Sequence, residues 1–276
     1  MDDFLADNRA HWEELAALHP GTDFYDVESF LAGESTLLPL EREELGDVVG
    51  EGTRILHLQC HFGLDTLSWA REGAVVTGVD FSGTAIGTAR DLAAATGLDD
   101  RARFVECDVY DLPATLDEAG AFDVVFTSYG VLNWLPDVER WAEVVAGFLA
   151  PGGTFYVAEI HPFAHVLMDL ELEAGRPVPD WSYFGGGART YEEDGTYAAP
   201  AATLDSTTTH EWAHGLGEIV TALLDSGLDV EFLREHPFAC FEQFPGMEVD
   251  DEGRWWLPEG TNHPPLTFSL LARSPE

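Results

Sequence analysis

Lysine occurs nowhere in this 276-residue chain: its 13 basic side chains are all arginine, against 51 aspartates and glutamates, for a formal net charge of −38. So few cations argue against partners gripped through phosphates, since neutralising a nucleic acid backbone takes clustered Lys and Arg. Neither nucleic acid nor an anionic membrane surface is an expected partner. Cysteine is scarce too. Cys60, Cys107 and Cys240 show no paired spacing and no metal-ligand pattern, which fits a reducing compartment. No apolar run reaches the ~20 residues of a membrane span, and MDDFLADNRAHWEEL has neither a basic leader nor an apolar signal core. A cytoplasmic protein is expected.

The residues that are present argue for a folded core. A hydrophobic fraction of 45% is too high for the acidity to mean disorder. The length suits one large α/β domain. A chain so acidic repels itself when compact, and salt relieves this by shortening the Debye length to about 3 Å at 1 M. The composition therefore points to a halophilic setting.

The most informative stretch runs from Ile55 to Leu67, ILHLQCHFGLDTL, followed by VVTGVDFS from Val75 to Ser82. An apolar run ends in a turn at Gly63, a segment of helical periodicity begins there, and a second apolar run stops at Asp80. Strand, turn, helix, strand, acid is the order of a nucleotide-binding βαβ unit, in which the terminal carboxylate accepts from ribose hydroxyls. The alternation continues: strands 55–59, 75–79, 103–106, 122–127 and 154–159, with helices 64–72, 84–96 and 137–149. Repeated βα units predict a parallel sheet covered on both faces. Pro151-Gly-Gly reads as a helix-to-strand break. Residues 161–210 are irregular and read as a substrate-facing insert. A helix at 214–226 and strands at 228–235 and 266–272 complete the pattern. Before the first strand, residues 1–50 look mainly helical.

In the order and spacing of ILHLQCHFGLDTLSWAREGA, VTGVDFSGTAI, RFVECDVYDLP, FDVVFTSYGVLNWLPD and FLAPGGTFYVAEIHP, the chain resembles the class I S-adenosylmethionine-dependent methyltransferases. It looks most like their small-molecule members with a QCHFG-like first motif. The resemblance implies a Rossmann-like doubly wound sheet, mostly parallel with an antiparallel last strand, and a helical lid. It implies one domain over 1–276, with the lid at 1–50, a cofactor-binding core at 51–160, and the insert and final strands at 161–276. It implies S-adenosyl-L-methionine as cofactor and a small-molecule acceptor. Oligomeric state does not follow.

The residues expected at the cofactor are Gln59, His61, Gly63, Asp80, Phe81, Ser82, Asp108, Val109 and Ser128. Asp80 would take the ribose, Phe81 the adenine face, Asp108 the adenine amino group and Val109 a backbone contact. The common first motif is an acid followed by three alternating glycines, whereas those positions here read His57, Gln59, His61 and Gly63. Bulkier residues at such a turn call for a different turn or a shifted ligand. Tyr129 and His161, just after the fourth and fifth strands, are the candidate catalytic residues, His161 as a proton acceptor. Trp12, Tyr25, Trp134 and His214 are candidates on the substrate side, with packing as the competing role.

His210-Glu-Trp-Ala-His214 spells the H-E-x-x-H zinc motif, with His210, Glu211 and His214 in the metal roles. Thr207-Thr-Thr before it favours a strand over the helix that motif needs, and no metal is expected. A non-catalytic S-adenosylmethionine or S-adenosylhomocysteine binder and, more remotely, this zinc hydrolase are the alternatives. A nicotinamide-binding domain would need the missing G-x-G-x-x-G.

Overall fold

The computed structural model describes residues 2–168, 170–173, 176–179, 181–260 and 262–276. Positions 169, 174, 175 and 180 of the expected insert lie outside the described residues. The chain opens with helices α1 (Asp2–Leu18), α2 (Val27–Ala32) and α3 (Pro39–Leu45). The alternating core follows: β1 (Arg54–Leu58), α4 (Leu64–Arg71), β2 (Val75–Asp80), α5 (Gly83–Thr96), β3 (Ala102–Glu106), the short α6 (Leu112–Thr115), β4 (Phe122–Ser128), α7 (Val138–Phe148) and β5 (Leu149–Ile160). After it come α8 (Pro162–Met168), β6 (Leu170–Glu173), β7 (Arg176–Pro179), β8 (Arg189–Glu192), β9 (Thr208–Glu211), α9 (Leu216–Asp225), β10 (Asp229–His236), β11 (Phe238–Ala239), β12 (Glu248–Val249), β13 (Trp255–Trp256) and β14 (Thr267–Arg273).

Seven strands form the main sheet in the order β10-β14-β5-β4-β1-β2-β3. The five from β5 to β3 pair in parallel, and β14 runs antiparallel to both β5 and β10. The doubly wound sheet with an inserted antiparallel last strand is therefore present. Side chains alternate across each strand, so Leu56, Leu58, Val125 and Val157 face α7 and α9, while Ile55, Val76, Val124 and Ala158 face α4, α5 and the N-terminal helices. Local chemistry agrees with these boundaries. Ser82 caps α5 by accepting from Ala85 N, and Gly97 closes it at φ 67°. Helix α7 is capped by Asp137 and buries Val138, Trp141, Ala142, Val145 and Phe148 on one stripe.

One boundary differs by more than two residues from the sequence reading. Strand β5 starts at Leu149 and runs through Pro151-Gly152-Gly153 instead of starting after it. The pairing with β4 jumps from Phe122↔Leu149 to Val124↔Thr154, so the three residues are taken up as an irregularity in the ladder, with Gly152 at φ 72°.

Helix α1 lies over the carboxyl ends of the parallel strands and docks on both α5 and β9. Its Asn8 amide donates to the carbonyl of His210 and accepts from the amide of His210, both at 2.7 Å, much as a neighbouring strand would.

Candidate functional site

The turn after β1 keeps the left-handed backbone that glycines normally supply. Gln59 has φ 56°, His61 φ 51° and Gly63 φ 80°. Two larger residues are thus held in a backbone region where non-glycine residues cost roughly 1–2 kcal/mol each. Bonds from every side hold them there. Cys60 N donates to Val79 O at 2.9 Å, Gln59 Nε2 to Val131 O at 3.1 Å, and His61 N to Asp80 Oδ2 at 2.9 Å. Of the three left-handed positions in this turn, Gly63 has no room for a side chain, since a Cβ there would stand 2.7 Å from the Phe104 ring. Gly63→Ala should therefore lose roughly 2–4 kcal/mol to backbone strain and overpacking, read as a lower urea midpoint with unchanged slope.

Asp80 ends β2 and is 8% exposed. Its Oδ1 accepts from Ser82 N and its Oδ2 from His61 N, both at 2.9 Å, which leaves one acceptor direction open on each oxygen. Burial pushes its pKa up to about 6, against the pull of these bonds. Phe81 follows, half-buried. The Ser82 hydroxyl is committed to the cap of α5 and to Glu13 Oε2 at 3.1 Å. Glu13 also accepts from Gly83 N at 2.7 Å and Thr84 N at 2.9 Å, so α1 is latched to the α5 N-terminus beside Asp80. Nothing in the sequence marks Glu13 off from the other acids of α1. Beyond β3, Asp108 Oδ1 accepts from Tyr110 N at 2.8 Å, burial raises its pKa, and Val109 beside it is buried.

Ser128 closes β4 and lies between His57 Nε2 and Asp65 Oδ2, each 3.4 Å from its hydroxyl. The Tyr129 hydroxyl is buried without a hydrogen bond. The loop that follows is shaped by Glu159 from the end of β5, a residue the sequence reading passed over. Its carboxylate accepts from the amides of Gly130 (2.5 Å), Val131 (2.8 Å), Leu132 (3.2 Å) and Ile160 (2.6 Å). An acid inside the apolar run FYVAEI was the available signal.

Aromatic residues from the lid cover this turn. Trp12 meets His61 at 5.4 Å and Trp134 at 5.3 Å between ring centroids, both edge-on. Tyr25 packs on Phe62 at 4.7 Å, and its hydroxyl bonds that of Tyr197. His19, missed from sequence, joins the layers: Nδ1 to His61 Nε2 at 2.9 Å and Nε2 to Thr196 Oγ1 at 2.8 Å, with burial pushing its pKa down to about 4.

Two candidates stand slightly apart. His161 is buried, and its Nδ1 accepts from Phe163 N at 3.0 Å while Nε2 faces Glu235 Oε1 at 2.9 Å, so both nitrogens are engaged; burial lowers its pKa. His214 Nε2 donates to Leu135 O at 2.7 Å and Nδ1 lies 3.4 Å from Glu218. It borders a small cavity with Asn133, Glu159, His165, Trp181 and Trp212. His210 sits on strand β9, as the threonines suggested. Its imidazole is taken up by Thr190 and Asp7, both at 2.9 Å, so it and His214 share no helical face.

The turn therefore gathers, at the carboxyl edge of a parallel sheet, a buried carboxylate with open acceptor directions and a buried Gln59 Oε1 without a partner. Ligands of open α/β sheets collect at that edge. Residues 55–153 match a family model described as a methyltransferase domain. A ubiquinone biosynthesis O-methyltransferase of Caulobacter sp. (strain K31) is 36% identical over 185 residues, 63% of this chain and 69% of its own. A namesake from Sinorhizobium fredii is 30% identical over 162 residues, spanning 58% of this chain and 62% of its own. The crystal structure of an S-adenosylmethionine-dependent methyltransferase from Mesorhizobium loti superposes with a TM-score of 0.58 at 23% identity, covering 88% of this chain and 99% of that one.

Proposed function

Because the chain belongs to the class I S-adenosylmethionine-dependent methyltransferase family, we propose a division of labour among its residues for methyl transfer to a small-molecule acceptor. S-adenosylmethionine supplies an electrophilic methyl group on a positively charged sulfur. Asp80 accepts from the ribose hydroxyls, Phe81 lies against the adenine, and Asp108 and Val109 receive its polar edge. Gln59, His61, Gly63 and Ser128 border the methionine half. The observation that carries this reading is the buried, half-satisfied Asp80 carboxylate beside a turn that keeps its left-handed path without the usual glycines.

The acceptor enters beneath Trp12, Tyr25 and Trp134, with His214 and Tyr129 on its borders. The names of the relatives point to an oxygen atom as nucleophile. In-line positioning by such a closed site can itself supply roughly 7–11 kcal/mol, so a strong base is not required. His161, engaged at both nitrogens, orients the end of β5 through Glu235. Residues 1–50 act as the lid, 51–160 as the cofactor core and 161–276 as the acceptor-facing part of a single domain.

Calorimetric titration in concentrated potassium chloride, with S-adenosylmethionine, S-adenosylhomocysteine and NAD as separate ligands, is the test. Micromolar binding of the first two and none of NAD is expected; a folded protein that binds neither sinks the assignment. A cytoplasm rich in salt is the proposed setting. The melting temperature should climb as potassium chloride rises through the molar range, because the net charge of −38 is then screened. A melting curve indifferent to salt would remove that part of the reading.

A further inference from the structure

Glu41, in the lid helix α3, is 0% exposed, and neither of its carboxylate oxygens forms a hydrogen bond. The Tyr129 hydroxyl, also buried, adjoins it and favours its ionised form against the larger push of burial towards the neutral acid. The charged groups that reach Glu41 are Asp65 from the first turn of α4 and Glu44 from its own helix, both acidic. Glu44 already has Arg234, at 2.7 Å, and the Tyr156 hydroxyl. Asp65 accepts from Thr36 Oγ1 at 2.6 Å and from Ser128, with no cation. The Cys240 thiol after β11 closes the group, its pKa raised by burial and then by nearby carboxylates. A buried carboxylate without a partner is among the most expensive groups a protein can carry, and a second one beside it adds repulsion. Burial drives such a group towards its neutral acid, and a cation with N–H donors placed beside it would hold it ionised.

We propose that the junction of α3, the first turn of α4, the end of β4 and the segment after β11 receives a protonated aliphatic amino group, gripped by Glu41 and Asp65 with Tyr129 alongside. Two sources carry that chemistry: the methionine half of the cofactor, or an acceptor that bears an ammonium. The inference rests on the cofactor reading above. It goes beyond it by assigning a job to a lid carboxylate that lies outside the nucleotide-binding turn. An ammonium placed there would also draw the lid shut, because α3 supplies one carboxylate and the core the other.

Two matched pairs of probes separate the sources. The first is 5′-methylthioadenosine against S-adenosyl-3-thiopropylamine, which adds an aminopropyl chain without a carboxylate. The second is 4-ethylphenol against tyramine, titrated into protein saturated with S-adenosylhomocysteine. Wild type should prefer the amine-bearing member of one pair at least tenfold, and Glu41→Gln should abolish that preference while binding the amine-free member normally. Loss in the first pair assigns the ammonium to the cofactor, and loss in the second to the acceptor. Glu41→Gln should melt no lower than wild type, since burial already favours the neutral acid that glutamine matches in shape; Asp65→Asn gives a second reading of the same preference. If neither pair shows a preference, or Glu41→Gln keeps it intact, the inference is overturned. Failure of wild type to bind 5′-methylthioadenosine would instead sink the cofactor reading, and this inference with it.

Discussion

Asp80→Ala is expected to weaken S-adenosylhomocysteine binding by roughly 10²–10⁴-fold, from two charge-assisted hydrogen bonds to the ribose at about 1.5–3 kcal/mol each. The carboxylate is suited to this because burial has already removed its water, and its two backbone donors, His61 N and Ser82 N, fix its plane. The same burial makes the site sensitive to pH. The folded-state pKa of Asp80 is raised, to about 6 from an ordinary 3.8. The native state therefore holds that proton more tightly than the unfolded chain. The stabilisation linked to that proton is fully present below about 3.8 and lost as pH rises through about 6. Ligand binding goes the other way: ribose hydroxyls donate to the ionised form, so affinity should fall as pH drops from 7 to 5, by up to about tenfold per unit below the pKa. Calorimetry of wild type, Asp80→Ala and Ser274→Ala across that range checks both statements. Ser274, near the C-terminus, should bind as wild type; equal affinities for all three would remove Asp80 from the site.

Asp80 was legible in the sequence because its signal is local. An apolar run of six ending in an acid can be read without knowing what the strand packs on, and β2 indeed ends there. The same holds for Gly63, the capped α5 and the stripe of α7. Residues whose roles depend on distant chain were not legible. Glu13 matters because α1 folds back over α5, about 70 residues on, and Glu41 because α3 closes over Tyr129 and Asp65. In a chain with 51 acidic residues, one more acid carries no mark of its own. His161 shows the opposite case. Its position after β5 suggested a free base, but the sequence could not show that Phe163 N and Glu235 would occupy both nitrogens. The turn after β1 was half legible: substituted glycines were visible, but whether the backbone would yield depended on Val79, Asp80 and Val131, each from another strand or loop. Those contacts held the path and left the side chains to adapt.

Glu159→Gln should be the most damaging single substitution of a polar residue outside the ligand contacts. The carboxylate is 3% exposed and satisfies four backbone amides, those of Gly130, Val131, Leu132 and Ile160. Burial raises its pKa and the four amides, two at each oxygen, pull against that rise. Glutamine keeps the shape but turns one acceptor into an NH₂ that points at N–H groups, leaving two of them without a partner. Each buried orphan costs about 1–3 kcal/mol, so a loss of roughly 2–6 kcal/mol and a melting temperature lower by on the order of 10 °C are expected. Asp100→Asn, on the exposed surface, should leave the melting temperature unchanged. The functional consequence follows from the same bonds. The loop they hold presents Val131 O to Gln59 Nε2, and that contact helps keep the turn after β1 in its left-handed path. Glu159→Gln that remains folded at low temperature should therefore also bind S-adenosylhomocysteine more weakly, although it touches no ligand. Should it melt as wild type and bind as wild type, the loop after β4 is held by its own packing, and the link from Glu159 through Val131 to the cofactor turn does not exist.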